Sequence, residues 1–178
     1  SDDDSFGADG IIWHKDGLVL DLGSYGDPDY NNALDPCVLY EDGVYKMWYT
    51  GADNNGTMQV CYATSTDGIT WTKYGMVLGV GVSGSYDSLH AYSPSVIYDE
   101  GIYKMWYTGK DSPGHCVIAY ATSTDGITWV KHGVVMSEGG TPYDTVAVSD
   151  PTVLKDGSPY RMWYTGWPEG KQNSRILY

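Results

Sequence analysis

The segment Tyr45-Lys46-Met47-Trp48-Tyr49-Thr50-Gly51 returns unchanged at 103–109 and, with Arg161 in place of the lysine, at 160–166, in steps of 58 and 57 residues. A second block, Ala63 to Trp71, recurs identically from Ala121 to Trp129, and its tail is echoed as Asp9-Gly10-Ile11-Ile12-Trp13. A period of this size means one supersecondary unit per copy, a unit that hides its faces only against its neighbours. That constraint overrides the ordinary reading of a 178-residue chain as one self-contained domain.

Within each copy, runs rich in Val, Ile, Tyr, Trp and Thr alternate with Gly, Asp and Asn clusters, the pattern of short antiparallel strands. In the first full copy it predicts strands over Pro36–Tyr40, Val44–Thr50, Met58–Thr64 and Thr70–Leu78. The turns Glu41-Asp42-Gly43 and Asp67-Gly68 are tight, with glycine supplying the positive φ. The connections 52–57 and 79–92 are longer and leave an up-and-down sheet by the same edge, where binding residues concentrate. The expectation is an all-β chain, a β-propeller of four-stranded antiparallel blades within one repeat region, 1–178. The blade repeats fall at approximately 21–78, 79–136, and 137–178 plus 9–20. A strand at 11–20, fourth in phase, and a third strand at 175–178 are complementary pieces that would close a ring. Three blades are fewer than the roughly four to eight that surround an axis. Two arrangements follow: part of a larger propeller, or a homo-oligomer that completes the ring.

Charge narrows the partners. With 10 Lys plus Arg against 23 Asp plus Glu, the net charge of -13 repels nucleic acid and anionic membrane surfaces. Seventeen Tyr and 7 Trp, aromatics with a polar handle, suit polar ligands such as carbohydrates. Cys37, Cys61 and Cys116 occupy unrelated repeat positions without C-x-x-C spacing, so they read as small buried hydrophobes rather than a disulfide framework or zinc site. No cofactor is expected. Ca²⁺ is left open only for the acidic stretch Asp27 to Asn32. No signal peptide or apolar span is seen, and the composition suits a secreted or periplasmic protein whose leader has been removed.

Three blocks carry a family resemblance: Asp35-Pro36 and Asp150-Pro151 before an inner strand, the Tyr-Lys-Met-Trp-Tyr-Thr-Gly segment, and Tyr62-Ala63-Thr64-Ser65 leading to Asp67-Gly68-Ile69 and Trp71. Together they resemble the five-bladed β-propeller glycosidases, the superfamily of arabinanases, xylosidases, fructosidases and mannoside phosphorylases. The likeness covers nearly the whole chain. It implies an active site in a funnel on the axis, with carboxylates at the starts of inner strands, where Asp35 and Asp150 fall. In the second copy Ser93-Pro94 replaces Asp-Pro, and no copy places a Glu at an inner strand. The block Ser65 to Trp71 is also similar to the Asp-box of sialidases, a structural turn. With only Arg161 and Arg175, the chain lacks the arginine cluster that clamps a sialic acid carboxylate.

Glycosidic hydrolysis needs two carboxyl groups, one ionised and one protonated, about 5 to 9.5 Å apart. Asp35 and Asp150 are the best-placed catalytic pair, although an Asp before Pro also serves as a local amide cap. For substrate binding the long loops offer Asp87 and Asp144, which recur as Tyr86-Asp87-Ser88 and Tyr143-Asp144-Thr145, with Asp29-Tyr30 in the first copy. Recurrence in every blade equally suits a structural task. His90 and Trp167 appear once each, and Trp167 offers a stacking face for a sugar ring. Glu138 and Glu169, in loops on the same side, are the candidate stand-ins for an acid, whereas Glu41 and Glu100 lie in the opposite turns. Trp48, Trp106 and Trp163, like Trp13, Trp71 and Trp129, are expected to pack between blades. The leading expectation is a glycosidase-like, carbohydrate-active propeller. Its alternative is a non-catalytic, lectin-like or assembly module, favoured by near-identical blades.

Overall fold

The computed structural model describes residues 17–157, 159–170 and 173–178. Eleven strands form among the described residues: β1 (Asn32–Glu41), β2 (Val44–Ala52), β3 (Met58–Ser65), β4 (Thr72–Leu78), β5 (His90–Asp99), β6 (Ile102–Lys110), β7 (Cys116–Ser123), β8 (Val130–Met136), β9 (Ala147–Lys155), β10 (Tyr160–Trp167) and β11 (Arg175–Leu177). They build two four-stranded sheets, β1-β2-β3-β4 and β5-β6-β7-β8, and a three-stranded sheet, β9-β10-β11. All pairings are antiparallel. The expected all-β propeller architecture is present.

Burial shows how the blades stand. In β2, Met47 to Ala52 are all buried, so both faces of the strand are covered. By contrast β4 and β8 expose alternate residues, as outer-rim strands do. The inner strand β5 packs between β1 and β9, which sets the three inner strands side by side. Trp48, Val60, Tyr62 and Leu78 of the first blade meet Val96, Met105, Tyr107 and Ala121 of the second. The second seam joins Trp106 and Ile118 to Val148, Val153 and Tyr164. Each such fully buried large side chain contributes about 1.5–3 kcal/mol.

Polar ties repeat with the blades. Cys37 Sγ accepts the Val96 amide across the first seam (3.2 Å), and Ser95 Oγ accepts that of Val153 across the second (2.9 Å). Trp48 Nε1 donates to the Gly126 carbonyl of the next blade at 2.7 Å, as the inter-blade expectation requires. All three cysteines are free thiols. Burial, followed by the neighbouring Asp29 charge, pushes the Cys61 thiol up to about 12.

Two-residue hairpins at Asp42-Gly43 and Glu100-Gly101, with φ of 49°, 82°, 55° and 80°, close the lower edge. The connections 53–57 and 79–89, with their counterparts 111–115 and 137–146, emerge on the opposite edge. In the turn after β3, Asp67 accepts the amides of Ile69 (2.8 Å) and Thr70 (2.7 Å) and the Ser65 hydroxyl. Asp125 repeats this arrangement. The carboxyls of both are thereby held well below the usual carboxylate range.

The strand expected at 11–20 is only partly visible. Residues 11–16, Trp13 among them, lie outside the described residues, and 17–20 form no strand. The pairing of this segment with the third sheet is not formed among the described residues. Leu20 instead lies against Met47, Tyr49, Cys61 and Ala63 of the first blade. Leu78 holds the same repeat position and packs against the second blade in the same way. Lys73 reaches the Asp21 carbonyl as Lys131 reaches that of Gly79. Residues 17–20 thus occupy the place of a fourth strand of a preceding blade, and among the described residues no third strand lies beside them.

Candidate active site

Pro36, Pro94 and Pro151 cannot donate to a ladder, so each inner strand must break register where its proline falls. The break is a β-bulge in all three blades, with Asp35, Ser93 and Asp150 at φ of 50°, 49° and 52°. The left-handed conformation is one that Asp tolerates, and it directs all three side chains to a common point. Ser93 Oγ lies 3.0 Å from Asp35 Oδ2 and 2.9 Å from Asp150 Oδ1. With both oxygens near one hydroxyl, they are at most about 6 Å apart, an upper bound that falls short of an inverting pair's separation and reaches that of a retaining one. The hydroxyl has one hydrogen and donates to one carboxylate at a time.

The neighbouring blades hold this cluster in place. Thr50 Oγ1 accepts the Ser93 amide (2.8 Å) and donates to Asp35 Oδ2 (3.0 Å). Thr108 Oγ1 accepts the Asp150 amide at 2.9 Å, and Ser149 Oγ donates to Asp150 Oδ2 at 2.8 Å. Ser93 is buried, while both aspartates are open to solvent. An axial cleft of about 260 Å³ lies over the three residues, walled by their prolines and Thr152. A second hollow, about 380 Å³, adjoins Asp150 between the second and third blades and is lined by Trp167 and Lys110.

The profile of the Glycosyl hydrolases family 32 N-terminal domain matches residues 27–178. The chain belongs to this family. Among relatives, an uncharacterized protein of Mycobacterium tuberculosis is 35% identical over 103 residues, covering 57% of this chain and 33% of its own length. Raffinose invertase of Escherichia coli is 29% identical over 154 residues, 79% of this chain and 30% of the enzyme. The chain therefore spans about a third of the length of these curated relatives. In structure it is similar to a family 117 glycoside hydrolase of Zobellia galactanivorans, with a TM-score of 0.71 at 17% identity over 89% of this chain and 55% of that one. The propeller-glycosidase resemblance read from the repeats is thus family membership.

The structure separates the remaining candidates of this glycosidase-family chain. Asp87 and Asp144, expected to meet sugar hydroxyls, are 1% and 3% exposed and do not line either hollow. Asp87 accepts from Tyr107 Oη (3.0 Å), Lys131 Nζ (2.6 Å) and Ser85 Oγ (2.9 Å). Asp144 accepts from Tyr164 Oη and from Thr141. Both carboxylates fasten the long loop to its own blade, as Asp29 does through Tyr49 and Lys73. This is the structural task that recurrence in every blade equally suited.

Asp27 is likewise occupied, by the Ser24 amide, and among the described residues no group of three His, Cys, Asp or Glu is spaced to hold a metal. His90 opens β5, where its Nδ1 accepts the Met58 amide at 3.1 Å and ties the first blade to the second. Burial and then the Lys110 charge lower its pKa below 6.5. Trp167 lies in the hollow beside Asp150, with Nε1 donating to Ser149 Oγ at 3.1 Å. Glu138 and Glu169 line neither hollow. Sequence reasoning passed over Ser93, which it took as a departure from Asp-Pro, and Lys110. Ser93 could have been found as the one departure from Asp at its repeat position, and Lys110 as one of three different residues that follow the same Tyr-Thr-Gly.

Proposed function

We propose that this chain carries the axial catalytic part of a glycoside hydrolase, which takes a terminal sugar into the cleft over Asp35, Ser93 and Asp150 and hydrolyses its glycosidic bond. The observation that carries this reading is the convergence of two solvent-open carboxyl groups from different blades on one buried hydroxyl. Such a cluster accommodates one ionised and one protonated carboxyl, the division of labour that the chemistry needs. Asp35 and Asp150 are the two groups of the proposal, and Ser93 holds them in register.

Fructosides come first among substrates, because raffinose invertase and sucrose-6-phosphate hydrolase of Escherichia coli are both relatives. The blades are alike in their packing residues but carry Asp, Ser and Asp at the axis. That asymmetry favours one catalytic centre over the several equivalent sites of a lectin-like module. The test is release of reducing sugar from raffinose, sucrose and aryl glycosides of arabinose, xylose and mannose, with Asp35→Asn and Asp150→Asn beside the native chain. Loss of turnover by at least a hundredfold in each variant, with folding intact, is expected. Undiminished turnover in both variants, or glycan binding without turnover in the native chain, would refute it.

A further inference from the structure

The copies share their Tyr-Lys-Met-Trp-Tyr-Thr-Gly and Ala-Thr-Ser-Thr-Asp-Gly blocks, or close variants of them, and differ where their upper edge meets the axis. After the same Tyr-Thr-Gly, the next residue is Ala52 in the first blade, Lys110 in the second and Trp167 in the third. Across the ladder these pair with Asn32, His90 and Ala147, which also differ.

Lys110 and Trp167 come from different blades and line the same hollow beside Asp150. Trp167 is 41% exposed, and the bond from its Nε1 to Ser149 Oγ fixes its ring as a wall. The lysine differs from its fellows. Lys46, Lys73, Lys104, Lys131 and Lys155 each form an ion pair with Glu41, Asp29, Asp99 or Asp87, whereas Lys110 forms none among the described residues. In a chain of net charge -13, a cation left unpaired on the wall of a hollow is placed to meet an anion. His90 beside it adds no second charge near neutral pH, since burial and Lys110 both disfavour its protonation.

We infer that this hollow takes the part of a glycoside that bears an anionic group, a phosphate or a carboxylate, with the sugar ring against Trp167 and the anion at Lys110. The inference rests on the hydrolase reading and names the substrate class of that site. A charge-assisted hydrogen bond at Lys110 favours the anionic ligand about tenfold over its neutral counterpart. The preference weakens as salt is raised.

The test is calorimetric titration of the full chain with fructose 6-phosphate and glucuronate, against fructose and glucose as neutral partners. Lys110→Ala accompanies it, a variant that reproduces the first blade's own Tyr-Thr-Gly-Ala sequence and so suits the fold. The expected result is about tenfold tighter binding of at least one anionic sugar, lost in Lys110→Ala while the neutral sugars stay within twofold. The phosphate and carboxylate arms tell which anion is preferred. Equal affinity for charged and neutral sugars, or an advantage that survives Lys110→Ala, overturns this inference and leaves the hydrolase reading standing. Failure of every sugar to bind would remove both.

Discussion

Replacing Thr50 by valine removes a hydroxyl that joins the seam between blades to the candidate active site by two bonds. The side chain is fully buried, and its Oγ1 both accepts the Ser93 amide and donates to Asp35 Oδ2. Valine keeps the branched shape and loses both bonds. A buried amide left without an acceptor costs about 1–3 kcal/mol, and the lost bond to a solvent-open carboxylate adds about 1 kcal/mol, for a total of about 2–4 kcal/mol. For a domain of this size that lowers Tm by about 5–12 °C. The matching variant Thr108→Val removes only the acceptor for the Asp150 amide, so about 1–3 kcal/mol is expected there. Urea unfolding followed by tryptophan fluorescence measures both. A Thr50→Val loss below 0.5 kcal/mol, or a larger loss in Thr108→Val, would refute the assignment of two working bonds to Thr50.

Gly126→Ala should destabilise more than Gly68→Ala, by about 1–3 kcal/mol in the same assay. Both glycines have φ near 77°, yet an added Cβ would stand 2.9 Å from Trp48 Cζ2 at Gly126 and no closer than 3.5 Å to any atom at Gly68. Asp67 and Asp125 have carboxyls depressed in the folded state, so the stability they give is present above pH 3.8 and is lost as pH falls below it. Asp67→Asn with Asp125→Asn should therefore flatten the acid limb of a Tm-against-pH profile; an unchanged limb would contradict this. His90 has a lowered folded pKa, so its contribution is complete above pH 6.5 and fades as pH falls below that value, where the unfolded chain binds the extra proton. His90→Gln, which keeps an acceptor for the Met58 amide, should remove that decline between pH 6.5 and 5 in the same profile.

Much of the fold was legible because the repeat fixes the strands three times over. The strand at Val44–Ala52 begins where the pattern places it, since the Asp42-Gly43 hairpin is a local signal. The first strand starts at Asn32 rather than Pro36, because a bulge at Asp35 lets pairing resume on the far side of the proline. Asp35 and Asp150 could be singled out from their position before proline. That Asp87 and Asp144 turn inward could not, since two of the three groups that hold Asp87 lie 20 and 44 residues away on β6 and β8. A buried carboxylate and a solvent-facing one look alike in sequence when the donors come from other strands. The bridging role of Ser93 depends on the meeting of three blades, which no single-copy pattern encodes.

The claim on which the rest depends is that Asp35, Ser93 and Asp150 form one sugar-binding centre on the axis. A crystal structure of the chain soaked with fructose tests it most directly. The account predicts sugar density over Ser93, with hydroxyls within hydrogen-bond reach of both Asp35 and Asp150 and the ring opening toward Trp167. Sugar bound at the lower turns or the outer rim, or the two aspartates turned apart with Ser93 bridging neither, would contradict it.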